Sequence, residues 1–139
     1  MILDKVKIIN LPKIIDERGN LSFLEESNHI PFEIERTYWI YDVPGGEKRG
    51  GHSYKVNQEV IIALSGSFDV VLNDGVSEKV YSLNRSYTAL YVPNEIWRHM
   101  ENFSTNSLAF VAASIKFSEV DYIRDFKLFL KEKNYGKCI

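Results

Sequence analysis

Up to about residue 115 this chain is a series of short apolar runs, each cut off by turn-forming residues. Val6 to Leu11 reads as a first strand, and Leu21 to Glu25, after Arg18-Gly19-Asn20, as a second. Glu35 to Val43 is β-branched and aromatic, and Pro44-Gly45-Gly46 stops it. Gln58 to Leu64, Phe68 to Leu72, Lys79 to Leu83 and Ala89 to Val92 follow, and Ser107 to Ala113 closes the set. Asn73-Asp74-Gly75 supplies a hairpin turn, because Asp-Gly tolerates positive φ. Short strands with turns at intervals of roughly 8–12 residues bury their faces only as a sandwich or a closed barrel.

The tail carries a different period. Ile123, Phe126 and Leu130 fall at i, i+3 and i+7, which predicts one amphipathic helix over about 118–133. Ser118 is its expected cap, and Asp121 completes a capping box. The helix is expected on the outside of a barrel spanning about 5–115, the whole of 1–139 forming one domain.

Composition narrows the function classes. A formal net charge of -2, from 17 basic and 19 acidic residues, leaves no basic surface for a phosphate backbone, so nucleic acid is not an expected partner. The single cysteine, Cys138, forms no intrachain disulfide and is expected to have no reactive role. MILDKVKIINLP lacks the apolar core of a signal peptide and no run is long enough to span a bilayer, so a soluble cytoplasmic protein is expected.

The segment from Gly46 to Gly66 is the most informative. Gly46, five residues, His52, one residue, Tyr54, four residues, Glu59, six residues and Gly66 follow the spacing of the first metal-binding motif of the cupins. That pattern has a second histidine where Tyr54 stands. The second cupin motif falls on Tyr87, Pro93, Glu95, Arg98 and Asn102, of which Pro93 and Asn102 match. Of four expected ligands, His52 and Glu59 remain, while Arg98 brings a permanent positive charge. No metal is therefore expected. His99 is no substitute, because neighbours on a strand face opposite ways.

What the motifs leave is a barrel mouth holding His52, Tyr54 and Arg98, with Arg49, Lys55 and Tyr38 as further candidates. If 52–60 is one strand, His52 and Tyr54 share a face, and Glu59 faces away unless a bulge intervenes. Imidazole trades protons near neutrality, a phenol donates one, and a guanidinium holds an oxyanion or a phosphate. The set suits proton abstraction beside a carbonyl. Trp97 beside Arg98 either stacks on a base or sugar or belongs to the core. His29 reads as surface, and Tyr38, Trp39 and Tyr41 as core or interface aromatics except where one face lines the barrel.

IIDERGNLSFLE, IPFEIERTYWIYDVPGGEKRGGHSYK, ALSGSFDVVLNDG, LYVPNEIWRHMENFS and DYIRDF resemble the TDP-4-keto-6-deoxyglucose 3,4-ketoisomerases, cupin-type sugar isomerases of the WxcM-like group. The resemblance runs from about residue 8 to 130. It implies an all-β cupin double-stranded β-helix, a jelly-roll barrel, with one C-terminal helix. It also implies a cytoplasmic homodimer without metal or cofactor, acting on a TDP-sugar in surface-polysaccharide biosynthesis. A base takes the proton from carbon 3, an ene-diol forms, and a proton returns at carbon 4. His52 matches the first histidine of the family's His-x-His-Lys segment and Lys55 its lysine. Tyr54 departs from the second histidine, and His99 from an acidic residue. Arg18 and Arg98 match positions where the resemblance implies galacto or gluco discrimination, which leaves the product epimer open. A non-catalytic nucleotide-sugar-binding cupin and a 3,5-epimerase of related fold are the alternatives.

Overall fold

A computed structural model describes residues 2–135. One antiparallel sheet runs β1 (Lys7–Asn10), β9 (Thr88–Val92), β6 (Glu59–Ser65), β11 (Leu108–Ala113), β4 (Arg36–Tyr41). The other runs β12 (Tyr122–Ile123), β5 (Arg49–Tyr54), β10 (Trp97–Glu101), β7 (Phe68–Asn73), β8 (Glu78–Leu83). A small hairpin, β2 (Lys13–Ile14) with β3 (Leu21–Ser22), stands apart. The two large sheets face each other as a jelly roll, followed by the helix α1 (Phe126–Tyr135).

The periodicity explains the layering. On β6, Ile61 and Ala63 point between the sheets and join Phe68, Val70, Leu72, Leu90, Met100 and Val111 in the main core. Val60 and Ile62 point outward, yet they too are buried, beneath Leu24, Phe32 and Ile34 of the segment that crosses this face. A central strand covered on both sides reads as an unbroken apolar run, which is what EVIIAL is. Edge strand β4 alternates instead: Tyr38 and Ile40 pack inward, while Trp39 and Tyr41 lie exposed. The hairpin turn expected at 73–75 joins β7 and β8, with Asp74 Oδ1 accepting from the backbone of Val76 (2.9 Å) and Ser77 (2.8 Å).

Two expectations need correction. Residues 52–60 are not one strand: β5 ends at Tyr54, and β6 opens at Glu59 in the opposite sheet. The crossing between them is pinned by the buried Asp121, whose carboxylate accepts from Val56 N (2.8 Å) and Asn57 N (3.0 Å). The helix is also shorter than 118–133. Asp121 is occupied by that crossing, Ser118 makes no side-chain cap, and Tyr122–Ile123 extends the β5 edge before the helix starts. Asp125 caps it, accepting from Lys127 N at 2.8 Å. Phe129, which the expected stripe omitted, is the buried anchor of α1 and packs with Phe126 against Trp97. Cys138 lies outside the described residues, and no described helix is long and apolar enough to cross a membrane.

Candidate active site

At one end of the sandwich the apolar filling gives way to polar side chains from five strands. His52 and Tyr54 come from β5, Arg98 from β10, Glu59 from β6, Arg36 and Tyr38 from β4, and Tyr122 from β12. Between them lies a cavity of about 280 Å³, also bordered by Arg49, Gly50 and Arg124.

The β5–β10 register puts Arg98 opposite His52, with the guanidinium turned inward and only 2% of the residue exposed. Its Nε donates to Glu59 Oε1 at 2.6 Å and its Nη2 to the Tyr38 hydroxyl at 2.7 Å. Tyr38 in turn donates to Glu59 Oε2. Arg98 Nη1 is buried and has no partner among the described residues. It points toward Gly50, where a Cβ would come within 2.5 Å of it; Gly50 also holds φ at +81°, a region L-residues rarely adopt. One guanidinium N–H edge is thus fixed and left without a partner beside Gly50.

His52 Nε2 lies 3.1 Å from the Tyr54 hydroxyl, as the shared face on β5 requires. That hydroxyl is also 3.3 Å from Glu59 Oε2 and 3.4 Å from the Tyr122 hydroxyl. The three rings pack edge to face, with centroids 4.7–5.0 Å apart.

Burial, and then the positive charges of Arg98, Arg124 and Arg36, hold the His52 imidazole down at a pKa of about 2, so it is neutral at physiological pH. Burial, and then the Glu59 carboxylate, raise the Tyr54 phenol above its ordinary value, so it keeps its proton. Burial likewise raises Tyr38. For Arg98 burial opposes the charge, but Glu59 and the two phenols outweigh it and the pKa rises. The centre therefore contains an uncharged base, a protonated phenol and a fixed cation.

Of the residues read from the sequence, His52, Tyr54, Arg98, Tyr38 and Arg49 meet at this cavity. Three do not. Lys55 follows the end of β5 and borders a different hollow, beside Ile123 and Phe129. Trp97 faces away from Arg98, as strand alternation demands, and is held by the α1 aromatics. Arg18 is on an exposed turn, paired with Asp16 at 2.9 Å. Glu59, expected to face away, turns in because it begins a strand of the other sheet. Arg36, Tyr122 and Arg124 were missed. Arg36 was within reach, sitting two residues before Tyr38 on the same face; the other two lay in a segment read as helix.

The donor set does not fit a first-row cation. Glu59 is taken up by Arg98, a guanidinium occupies the remaining ligand place, and no three His, Cys, Asp or Glu side chains converge among the described residues.

Fold and cavity define a cupin-type protein with an imidazole, phenols and a guanidinium gathered in its mouth. The chain belongs to the family described as FdtA, WxcM-like, C-terminal, whose model matches residues 4–134. It is 42% identical over 125 residues to the TDP-4-oxo-6-deoxy-alpha-D-glucose-3,4-oxoisomerase of Aneurinibacillus thermoaerophilus, covering 90% of each chain. A 3,4-ketoisomerase from Helicobacter canadensis superposes with a TM-score of 0.90 at 42% identity, over 93% of this chain and 97% of that one. A variant of the QdtA 3,4-ketoisomerase from Thermoanaerobacterium thermosaccharolyticum, solved with TDP-4-keto-6-deoxyglucose, gives 0.91 at 34% identity over 94% of both.

Proposed function

We propose that this chain is a TDP-4-keto-6-deoxyhexose 3,4-ketoisomerase working by acid–base proton transfer through an ene-diol. The neutral His52 takes the proton from carbon 3 of the 4-keto sugar. Charge developing on the carbonyl oxygen is met by the Arg98 guanidinium, already oriented by Glu59 and Tyr38. The observation that carries the reading is this pair, an uncharged base and an unpartnered buried cation edge, on adjoining strands of one cavity. Arg36, Arg49 and Arg124 around the opening suit the diphosphate of a nucleotide sugar. An entering diphosphate also offsets two of the charges that depress His52, so the imidazole becomes a better base once substrate is bound.

A cytoplasmic homodimer is part of the same proposal. Its support is the exposed aromatic pair Trp39 and Tyr41 on edge strand β4, the kind of surface that pairs with a second copy. Relatives named as 3,4-ketoisomerases weigh against both alternatives, the silent binding protein and the 3,5-epimerase.

The test is incubation with TDP-4-keto-6-deoxyglucose in deuterated buffer, followed by NMR. Deuterium at the reacting carbons and a new keto sugar are expected, and His52→Asn should abolish both. No deuterium at carbon 4 and no new keto sugar sinks the reading, and exchange at carbon 5 moves it to epimerisation.

A further inference from the structure

We propose that Tyr122 is the acid that delivers the proton to carbon 4, and that Tyr54 connects it to His52. The proposal rests on the ketoisomerase reading above.

Moving a ketone from carbon 4 to carbon 3 requires a base at one carbon and an acid at the next. His52 fills the first role. Tyr54 is poorly placed for the second, because it is 4% exposed and its hydroxyl is enclosed by His52, Glu59 and Tyr122. Tyr122 is half-buried and borders the cavity directly. Pairing of β12 with β5 sets Tyr122 opposite Tyr54, so its position follows from backbone register. The Arg124 guanidinium lies over its ring at 4.1 Å, and Arg36 lies against its phenol. Arg124 is itself held by Glu119, its Nε donating to Oε1 at 2.9 Å and its Nη2 to Oε2 at 3.1 Å, so the guanidinium is fixed over the ring.

The three groups form a row: His52 Nε2, 3.1 Å to the Tyr54 oxygen, 3.4 Å to the Tyr122 oxygen. The balance closes without any co-reactant. The carbon 3–hydrogen bond breaks, its proton goes to the imidazole, and its electron pair forms the carbon 3–carbon 4 double bond. The carbonyl pair moves to the carbon 4 oxygen, which takes up a proton as the carbon 3 hydroxyl loses one. The new carbonyl at carbon 3 pushes the double-bond pair onto carbon 4, which bonds the proton of the Tyr122 hydroxyl. The imidazole, protonated at Nδ1, then passes its Nε2 proton to the Tyr54 oxygen while Tyr54 passes its own to Tyr122; both phenols return to their starting states, and proton exchange with water restores the imidazole tautomer.

The experiment separates the two half-reactions in Tyr122→Phe, using substrate deuterated at carbon 3 in ordinary water. Loss of the deuterium to solvent should stay within about threefold of the parent enzyme, while the 3-keto product forms at least about 100-fold more slowly, the range general acids supply. Equal loss of both activities, or product formation left intact, overturns the proposal. No exchange in the parent enzyme would overturn the isomerase reading instead. Should Tyr122→Phe fail to bind TDP as the parent does, 3-fluorotyrosine at this position decides. A more acidic phenol must move the basic limb of kcat to lower pH, and an unmoved limb refutes the role.

Discussion

Glu59→Gln is the substitution that the buried centre should tolerate least. Arg98 and Glu59 are 2% and 1% exposed and 2.6 Å apart. At charge centres about 4 Å apart and an effective dielectric of about 20, their attraction is about 4 kcal/mol. The amide of glutamine still accepts one hydrogen bond, but it leaves a guanidinium out of water with no counter-charge. A loss of about 3 kcal/mol is expected, at the lower edge of what broken buried pairs cost. Against a total of about 7–20 kcal/mol for a chain of this length, that is severe but survivable. With a urea slope of about 2 kcal/mol per molar, the unfolding midpoint should fall by about 1.5 M. Pairing it with Arg98→Met gives the sharper measurement, since removing both charges removes the uncompensated one. The double variant should be at least about 2 kcal/mol more stable than the sum of the single losses. Additive losses, or a midpoint shift in Glu59→Gln below about 0.3 M, would refute the claim that this pair holds the site together.

Two further outcomes follow from the same geometry. Gly50→Ala places a methyl group within 2.5 Å of Arg98 Nη1 on a backbone at φ +81°, so it should cost about 1–2 kcal/mol in thermal unfolding and at least about 100-fold in kcat. The acid side is set by His52, whose folded pKa of about 2 lies below its unfolded value of 6.5. The unfolded chain therefore binds the extra proton first, and stability falls as pH drops below about 6.5, by about 2 kcal/mol between pH 8 and pH 5. Urea titrations should show this slope reduced in His52→Asn, while kcat/KM of the parent should lack an acid limb near pH 6.5.

The glycine frame around residues 46–66 located His52 and Tyr54, the second motif located Arg98, and period-two spacing put the first two on one face. The same rule accounts for Trp97, kept as a stacking candidate in the sequence, which faces away from Arg98 toward the α1 aromatics. Glu59 departs from its expected face because alternation does not carry through the loop between Tyr54 and Glu59. Parity holds only along one strand, and here the chain leaves one sheet at Tyr54 and enters the other at Glu59. Tyr122 and Arg124 were hidden by an apolar spacing that fits a helix, whereas pairing with the open edge of β5 keeps Tyr122–Ile123 extended. No local pattern announces such an edge, because the partner strand is some seventy residues earlier in the chain.

Asp121 gives that long-range pairing a consequence in time. Its carboxylate holds the crossing between the two sheets, and the next residues supply a phenol and a guanidinium to the cavity. During synthesis, the nine earlier strands of the two large sheets leave the ribosome before any of these groups. Both sheets are then complete except for one edge, while His52 and Tyr54 sit on a strand whose exit loop is still untethered. The cavity is therefore closed only when Tyr122 and Arg124 reach the open edge of β5.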